Sequence, residues 1–276
     1  MLDIVSAAGE IAREAGKLLI EKEEKRDYGI SEKGTSYDFV TEADTASQNL
    51  IKERVRALFP GDRVIGEEDN LSDAQVVREL KNVPENQRIW LVDPLDGTLN
   101  FIKGLGGYAV SIAVIQGGAT VAGAVYMPQG EELYLAEQGA GASRNGQRIR
   151  TAHHRELKDA LAATGIPVSP IHLRARTGLW NNAVGLEALN LRMLGSAARS
   201  QCKVASGGLD VYFEYGPHPW DLAAGMLMVT EAGGKVSRLD GGPFDWGFGG
   251  VIESSEEIHQ AVVELLKRAD PAISDF

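Results

Sequence analysis

One stretch constrains this chain more than any other: Trp90-Leu91-Val92-Asp93-Pro94-Leu95-Asp96-Gly97-Thr98-Leu99-Asn100-Phe101. Its apolar opening reads as a buried strand, which commits the chain to a sheet with layers over it. Pro94 and Gly97 then interrupt the run where backbone turns are expected. Asp93 and Asp96 stand where strand gives way to turn, and Gly97 and Thr98 follow with N–H groups that no strand neighbour claims. Carboxylates bind hard cations through oxygen, and N–H groups at a turn or helix start bind phosphate. One short segment can therefore hold a metal and the phosphate that the metal activates. The plain structural reading is a strand end followed by a hydrogen-bonded Asp-Gly turn, and the rest of the chain weighs against it.

At 276 residues the chain is one large domain or two intimately packed ones. With 43% hydrophobic and 24% charged residues it has the makings of a soluble globular core. A net charge of −11 with no offsetting basic patch repels nucleic acid and anionic membranes, so neither is an expected partner. A phosphorylated substrate would need cations to overcome that field. The single cysteine, Cys202, excludes an intrachain disulfide and a cysteine zinc cluster. The five histidines are scattered, and only His153 and His154 are adjacent, in what reads as a solvated loop. Asp3, Glu10 and Arg13 interrupt the N-terminal apolar residues, so neither a signal peptide nor a membrane span is expected there, and the cytoplasm is the expected location.

Leu2 to Lys25 reads as an amphipathic helix, with Ile4, Ala8, Ile11, Ala15 and Leu18 at helical spacing. Asp27 to Phe39, polar and carrying Gly29 and Gly34, reads as a mobile loop. Thr41 caps a helix that starts with Glu42 and Asp44 and stops before Pro60-Gly61. Arg63 to Gly66 is a short strand leading into Glu67-Glu68-Asp69, and Ser72 to Asn86 a weak helix with a following loop. Tyr108 to Ile115 and Thr120 to Met127 form a hairpin about Gly117-Gly118, and Leu133 to Glu137 adds a strand. A soft boundary falls near Gly139 to Ala142, giving halves of 1–142 and 143–276. In the second half, strands are expected at Ala160 to Thr164, Asn190 to Leu194, Leu209 to Tyr215 and Val251 to Glu253. Helices are expected at Leu173 to Leu189, from Gly195 to Gly207, from His218 to Glu231 with Pro219 in the first turn, and at Glu256 to Arg268. This mixture argues α/β or α+β layers.

Three acidic clusters follow strands or open helices: Glu67, Asp93 with Asp96, and Asp221. Converging carboxylates repel unless cations neutralise them, and an all-oxygen donor set suits Mg²⁺ or Mn²⁺ rather than zinc. Two such ions about 3.5–4 Å apart can orient a phosphate, acidify a water and stabilise the leaving oxygen.

Here the chain resembles the inositol monophosphatase family of metal-dependent, lithium-sensitive sugar-phosphate phosphatases. The resemblance rests on Gly66-Glu67-Glu68, on Asp93-Pro94-Leu95-Asp96-Gly97-Thr98 with Asn100-Phe101, and on Trp220-Asp221 with Ala223, Ala224 and Gly225. Further matches are Asp38-Phe39-Val40-Thr41 with Asp44, Gly195-Ser196-Ala197-Ala198, Tyr212-Phe213-Glu214 and Glu231-Ala232-Gly233-Gly234. All occur in the family's order, from about Lys33 to Gly250.

The resemblance implies an α+β fold of five layers, α-β-α-β-α, as a homodimer. It implies that Glu67, Asp93 and the Leu95 carbonyl hold a first Mg²⁺, and that Asp93, Asp96 and Asp221 hold a second, with Glu67 reaching a third through water. Mn²⁺ would substitute and Li⁺ inhibit. Thr98, paired with Asp44, would orient the attacking water, and the Gly97 and Thr98 N–H groups would bind phosphate. Asp96, Gly195, Ser196, Ala197, Glu214 and Asp221 would face the hydroxyls of a phosphorylated polyol or sugar, inositol monophosphate first among them. Lys33 would sit on a loop over the site. Fructose 1,6-bisphosphate, histidinol phosphate and nucleotides share the same metal core and are the alternatives. Leu99, Lys103-Gly104-Leu105-Gly106-Gly107 and Gly208 depart from the family pattern at the rim, which bears on substrate rather than on chemistry. A haloacid-dehalogenase-type phosphatase would need its nucleophilic Asp at position 94, which is Pro94. A regulatory binding protein that keeps the fold is the rival of a different class, since some relatives of the family contact the transcription machinery.

Overall fold

The computed structural model describes residues 3–26, 29–32, 39–153, 156–166, 171–247 and 249–275. Lys33, Asp38 and His154 lie outside them. The α-helices are Ile4–Lys25 (α1), Glu42–Leu58 (α2), Asp73–Lys81 (α3), Thr98–Lys103 (α4), Ile171–Glu187 (α5), Ala197–Ala205 (α6), Pro219–Glu231 (α7) and Glu256–Ala269 (α8). The first strands are Ile30–Glu32 (β1), Phe39–Thr41 (β2), Arg63–Gly66 (β3), Arg88–Asp96 (β4), Ala109–Gln116 (β5), Ala119–Met127 (β6) and Glu132–Glu137 (β7). The others are Gly141–Arg144 (β8), Gln147–Arg148 (β9), Leu161–Thr164 (β10), Asn190–Arg192 (β11), Val211–Tyr215 (β12), Gly234–Ser237 (β13) and Gly250–Ser255 (β14).

The fold is α+β, and the five layers are those the resemblance implies. Strands β3 to β9 form a seven-stranded sheet in sequence order, parallel only between β3 and β4. Strands in the order β11-β10-β12-β14-β13 form a five-stranded mixed sheet. Helices α1 and α2 cover the outer face of the first sheet, α6 and α7 lie between the sheets, and α5 and α8 cover the far face of the second.

Each layer follows from its sequence. The buried stripe of α1 is mostly alanine, with Ile11 and Leu19, so the helix approaches the sheet closely. At Gly16 the approach leaves no room at all: a β-carbon there would fall 2.4 Å from the Tyr126 ring. Helix α7 is buried on nearly every side, from Trp220 to Val229, which is what a helix clamped between two sheets requires. Its last residue, Glu231, accepts the Gly139 N–H at 2.7 Å and the Gly141 N–H at 2.8 Å, tying α7 to the turn before β8. Strand β4 is buried from Ile89 to Asp96, since helices cover both faces of its sheet. The β5–β6 turn is the expected one, with Gly117 and Gly118 both at positive φ, 57° and 79°.

The structure departs from the sequence reading in three places. The stretch read as a loop contains a short antiparallel pair, with Ile30 opposite Thr41 and Glu32 opposite Phe39. Strands β8, β9 and β13 were not anticipated, because two to four residues with little apolar alternation carry almost no strand signal. Strand β4 does not stop at Pro94 but runs on to Asp96 through an irregularity in its pairing with β5. Proline lacks the N–H that a regular ladder would use there, so the strand bulges instead of ending.

Candidate active site

The bulge in β4 is the platform. Pro94 turns its carbonyl to the Ser47 hydroxyl of α2 at 2.9 Å, and the Leu95 N–H closes back on Asp93 Oδ1 at 3.0 Å. Asp93 and Asp96 are thereby presented three residues apart at the buried end of one strand, 3% and 7% exposed. Gly97 then reverses the chain at φ 95°, a conformation that favours glycine, and caps α4. A side chain would also be tight there, because a β-carbon would stand 3.0 Å from the Gly195 carbonyl.

Asp96 reaches across to the start of α6. It accepts the Ala197 N–H at 3.1 Å, the Ala198 N–H at 2.8 Å and the Ser196 hydroxyl. The carboxylate thus caps a helix about 100 residues further along the chain, where the helix dipole favours negative charge. The Gly195 turn is held from the other side by Asn100, whose amide donates to the Leu194 carbonyl at 2.9 Å. Thr98 Oγ1 lies 3.1 Å from both Asp44 Oδ1 and the Leu95 carbonyl, and donates between them. Asp44 is fully buried at the third position of α2, and its other oxygen accepts the Thr41 N–H at 2.8 Å and the Thr41 hydroxyl at 2.6 Å. The capping box of α2 and the partner that the resemblance gives Thr98 are one carboxylate.

Glu67 opens a single helical turn after β3, and Asp221 is the third residue of α7, where it accepts the His218 N–H at 2.8 Å. Both act electrostatically on the β4 pair. Burial, and then the charges of Glu67, Asp96 and Asp221, push the Asp93 carboxyl well above the usual carboxylate range. Burial raises Asp96 too, against its hydrogen bonds from Ser196 and α6. Asp221 is raised first by burial, with the His218 charge opposing. Four carboxylates from three segments therefore share one negative field. Among the described residues no three metal-binding side chains close into a finished cage, and Asp93, Asp96 and Asp221 accept from N–H and hydroxyl groups. The donor set still fits a hard divalent cation: it is all oxygen, and the burial and repulsion that raise Asp93 are what a cation would offset.

Glu214 is the penultimate residue of β12, its carboxylate bonded to the Tyr212 hydroxyl, and burial pushes it up to about 7. Of the residues singled out in the sequence, Glu67, Asp93, Asp96 and Asp221 form one electrostatic cluster. Gly97, Thr98, Asp44, Gly195, Ser196 and Ala197 join it through the hydrogen bonds and close approaches given above.

Three supporting residues escaped the sequence reading. Ser47 shapes the Pro94 bulge. Gln48 accepts the Glu68 N–H at 3.0 Å and donates to Asp69 at 3.1 Å, fixing the turn that carries Glu67. Gln201 on α6 donates to Glu253 at 2.7 Å and lies 3.4 Å from the Leu222 carbonyl on α7. A signal existed for the first two: Asp44, Ser47 and Gln48 are polar on the stripe of α2 that also carries Ile51 and Val55. Polar groups on a buried stripe must be hydrogen-bonded to something specific.

This geometry coincides with a sequence-wide match. The pattern described as the inositol monophosphatase family fits residues 2–270. The chain belongs to that family. It is similar to the Nus factor SuhB of Escherichia coli strain K12, at 36% identity over 97% of each chain. It is equally similar to an inositol-1-monophosphatase of Mesorhizobium japonicum, at 36% identity over 93% of each. Among solved structures, the extragenic suppressor protein suhB of Bartonella henselae superposes with a TM-score of 0.87 at 33% identity, over 96% of this chain and 98% of that one. Inositol monophosphatase family membership makes a phosphatase the chemistry to test. Two of these three relatives carry names that are not enzyme names, so the family does not by itself assign an activity. No helix among the described residues is long and apolar enough to cross a membrane.

Proposed function

We propose that the chain is a Mg²⁺-dependent phosphatase that hydrolyses a phosphomonoester of a polyol or sugar, inositol monophosphate being the first candidate. The observation that carries the reading is Asp93, buried in the shared field of Glu67, Asp96 and Asp221, with the Thr98–Asp44 pair beside it. Glu67, Asp93 and the Leu95 carbonyl would hold one ion, and Asp93, Asp96 and Asp221 the other, with Glu67 reaching a third through water. Bound there, divalent cations supply an acidified water and charge stabilisation for the phosphate and the leaving oxygen. Mn²⁺ would substitute and Li⁺ compete.

The chain's own groups do the positioning. Thr98 gives its proton to the Asp44–Leu95 side, so its oxygen lone pairs are left to accept a hydrogen from water. Asp44, itself fixed by Thr41, keeps that hydroxyl from rotating. The N–H groups that open α4, behind the Gly97 turn, are the phosphate donors, as at any helix start. Glu214, with Asp96 and the Gly195-Ser196-Ala197 turn, faces the hydroxyls of the ring. A homodimer in the cytoplasm belongs to the same reading, as do Lys33 over the site and the division into 1–142 and 143–276.

The test is phosphate release from inositol 1-phosphate with Mg²⁺, parent against Asp93→Asn. The parent should turn over and the variant should be nearly inactive, because Asp93 would be a ligand to both ions. Near-normal activity in Asp93→Asn at saturating Mg²⁺ would remove the metal assignment. Brisk turnover of fructose 1,6-bisphosphate with none of inositol 1-phosphate would move the substrate and leave the mechanism. The SuhB name of the relatives supports a second reading, a regulatory binding protein on the same fold. A protein that releases no phosphate from any of these esters but retains a partner in a pull-down without Mg²⁺ would favour it.

A further inference from the structure

The setting of Glu214 is more constrained than hydroxyl recognition alone requires. Residues two apart on a strand share a face, so Tyr212 stands beside Glu214 on β12. The Tyr212 ring is buried, 1% exposed, and its hydroxyl donates to Glu214 Oε2. On the neighbouring strand, Thr164 of β10 pairs with Phe213, which brings the next residue, Gly165, alongside Glu214. A β-carbon on Gly165 would fall 2.1 Å from Glu214 Oε1 and 2.3 Å from Cδ. Gly165 is not among the glycines at positive φ, so its backbone does not call for glycine. Space for the carboxylate does.

We propose that Tyr212 and Gly165 set the polyol selectivity of this site, Tyr212 as a positioning residue that aims Glu214 and Gly165 as the gap that the Glu214 carboxylate occupies. The ligand group recognised is a pair of neighbouring hydroxyls on a phosphorylated ring. The inference rests on the reading of Glu214 given under Proposed function. One donor from Tyr212 fixes the carboxylate plane and leaves most of its roughly four acceptor positions for ring hydroxyls. Burial works against the charged form of Glu214, and the Tyr212 hydrogen bond works for it, so the same hydroxyl favours the acceptor-only state. Any side chain at residue 165 would drive the carboxylate out of this position.

The experiment compares parent, Tyr212→Phe, Gly165→Ala, Glu214→Gln and the Tyr212→Phe/Glu214→Gln double variant in the full chain with Mg²⁺. The readout is the ratio of kcat/KM for inositol 1-phosphate to kcat/KM for p-nitrophenyl phosphate, which has no polyol ring. Loss of one aimed hydrogen bond should lower that ratio about fivefold in Tyr212→Phe, mainly through a higher KM for inositol 1-phosphate. Gly165→Ala should lower it about tenfold or more. The double variant should lose no more than Glu214→Gln alone, since Tyr212 acts through Glu214. A general loss of folding scales both substrates together and leaves the ratio unchanged, so Tyr212→Phe remains informative if Gly165→Ala fails to fold. A lowered ratio in Glu214→Gln with an unchanged ratio in Tyr212→Phe would overturn the inference and spare the reading of Glu214. An unchanged ratio in Glu214→Gln would overturn both.

Discussion

At the scale of single residues, Gly225 shows how packing can hide a functional constraint. It lies in the interior of α7, where alanine would be favoured by helix propensity by about 1 kcal/mol. A β-carbon there would nevertheless lie 1.8 Å from Gln201 Oε1 and 2.3 Å from its Cδ. The glycine of the W-D-x-A-A-G stretch is thus the slot through which Gln201 reaches Glu253. Gly225→Ala should destabilise the protein by about 1–3 kcal/mol, the usual cost of overpacking a dense interior, in spite of the better propensity. Urea unfolding measures this, and a variant as stable as the parent would mean that Gln201 can move aside freely.

At the scale of elements, the α6–α7–β14 junction carries a pH dependence. Glu253 on β14 is fully buried, and burial pushes its carboxyl up to about 8 while the Gln201 hydrogen bond opposes. Glu253 Oε2 and Gln201 Oε1 both lack hydrogen-bond partners. A proton on Glu253 removes the buried charge and turns one of these unpartnered acceptors into a donor. The carboxyl is therefore neutral in the folded chain where the unfolded chain, at 4.5, has already ionised. Its stabilising contribution is complete below pH 4.5 and is lost as the pH rises through about 8. Glu253→Gln keeps the shape, supplies an N–H in place of the proton and does not titrate. Thermal melts from pH 5 to 9 should show a steeper alkaline decline in the parent than in Glu253→Gln. Parallel curves would place the proton elsewhere.

At the scale of the whole molecule, the candidate cation site lies where layers meet. Asp93 and Asp96 come from the first sheet, Asp221 from the helix layer between the sheets, and Asp96 also caps α6. Burial and their mutual repulsion oppose the charged form of Asp93, and a cation bound there would offset both. Mg²⁺ should therefore raise Tm, by an amount equivalent to ~2.7 kcal/mol at a hundredfold excess over Kd. Chelation with EDTA should reverse the rise. Asp93→Asn should melt higher than the parent without Mg²⁺ and respond less when it is added. Identical responses in the two proteins would separate the carboxylate cluster from cation binding.

The long elements and the acidic residues of the candidate site were legible from the chain alone. Periodic apolar residues in α1, the capping residues of α2, Pro219 in the first turn of α7, and the apolar opening of β4 are local signals, readable without knowing what lies opposite. The family pattern placed Asp93, Asp96, Glu67 and Asp221 in order. Short strands such as β8, β9 and β13 were illegible, because their pairing partners supply the energy that their own residues do not. The tertiary structure alone decided that Pro94 makes a bulge rather than an end, with Ser47 from another helix closing it. It alone decided why Gly165 and Gly225 are glycines, since what each would strike lies on a different segment: Glu214 and Gln201. Long-range exclusion of this kind leaves no periodicity in a chain, because it depends on which atoms folding brings within 3 Å of one another.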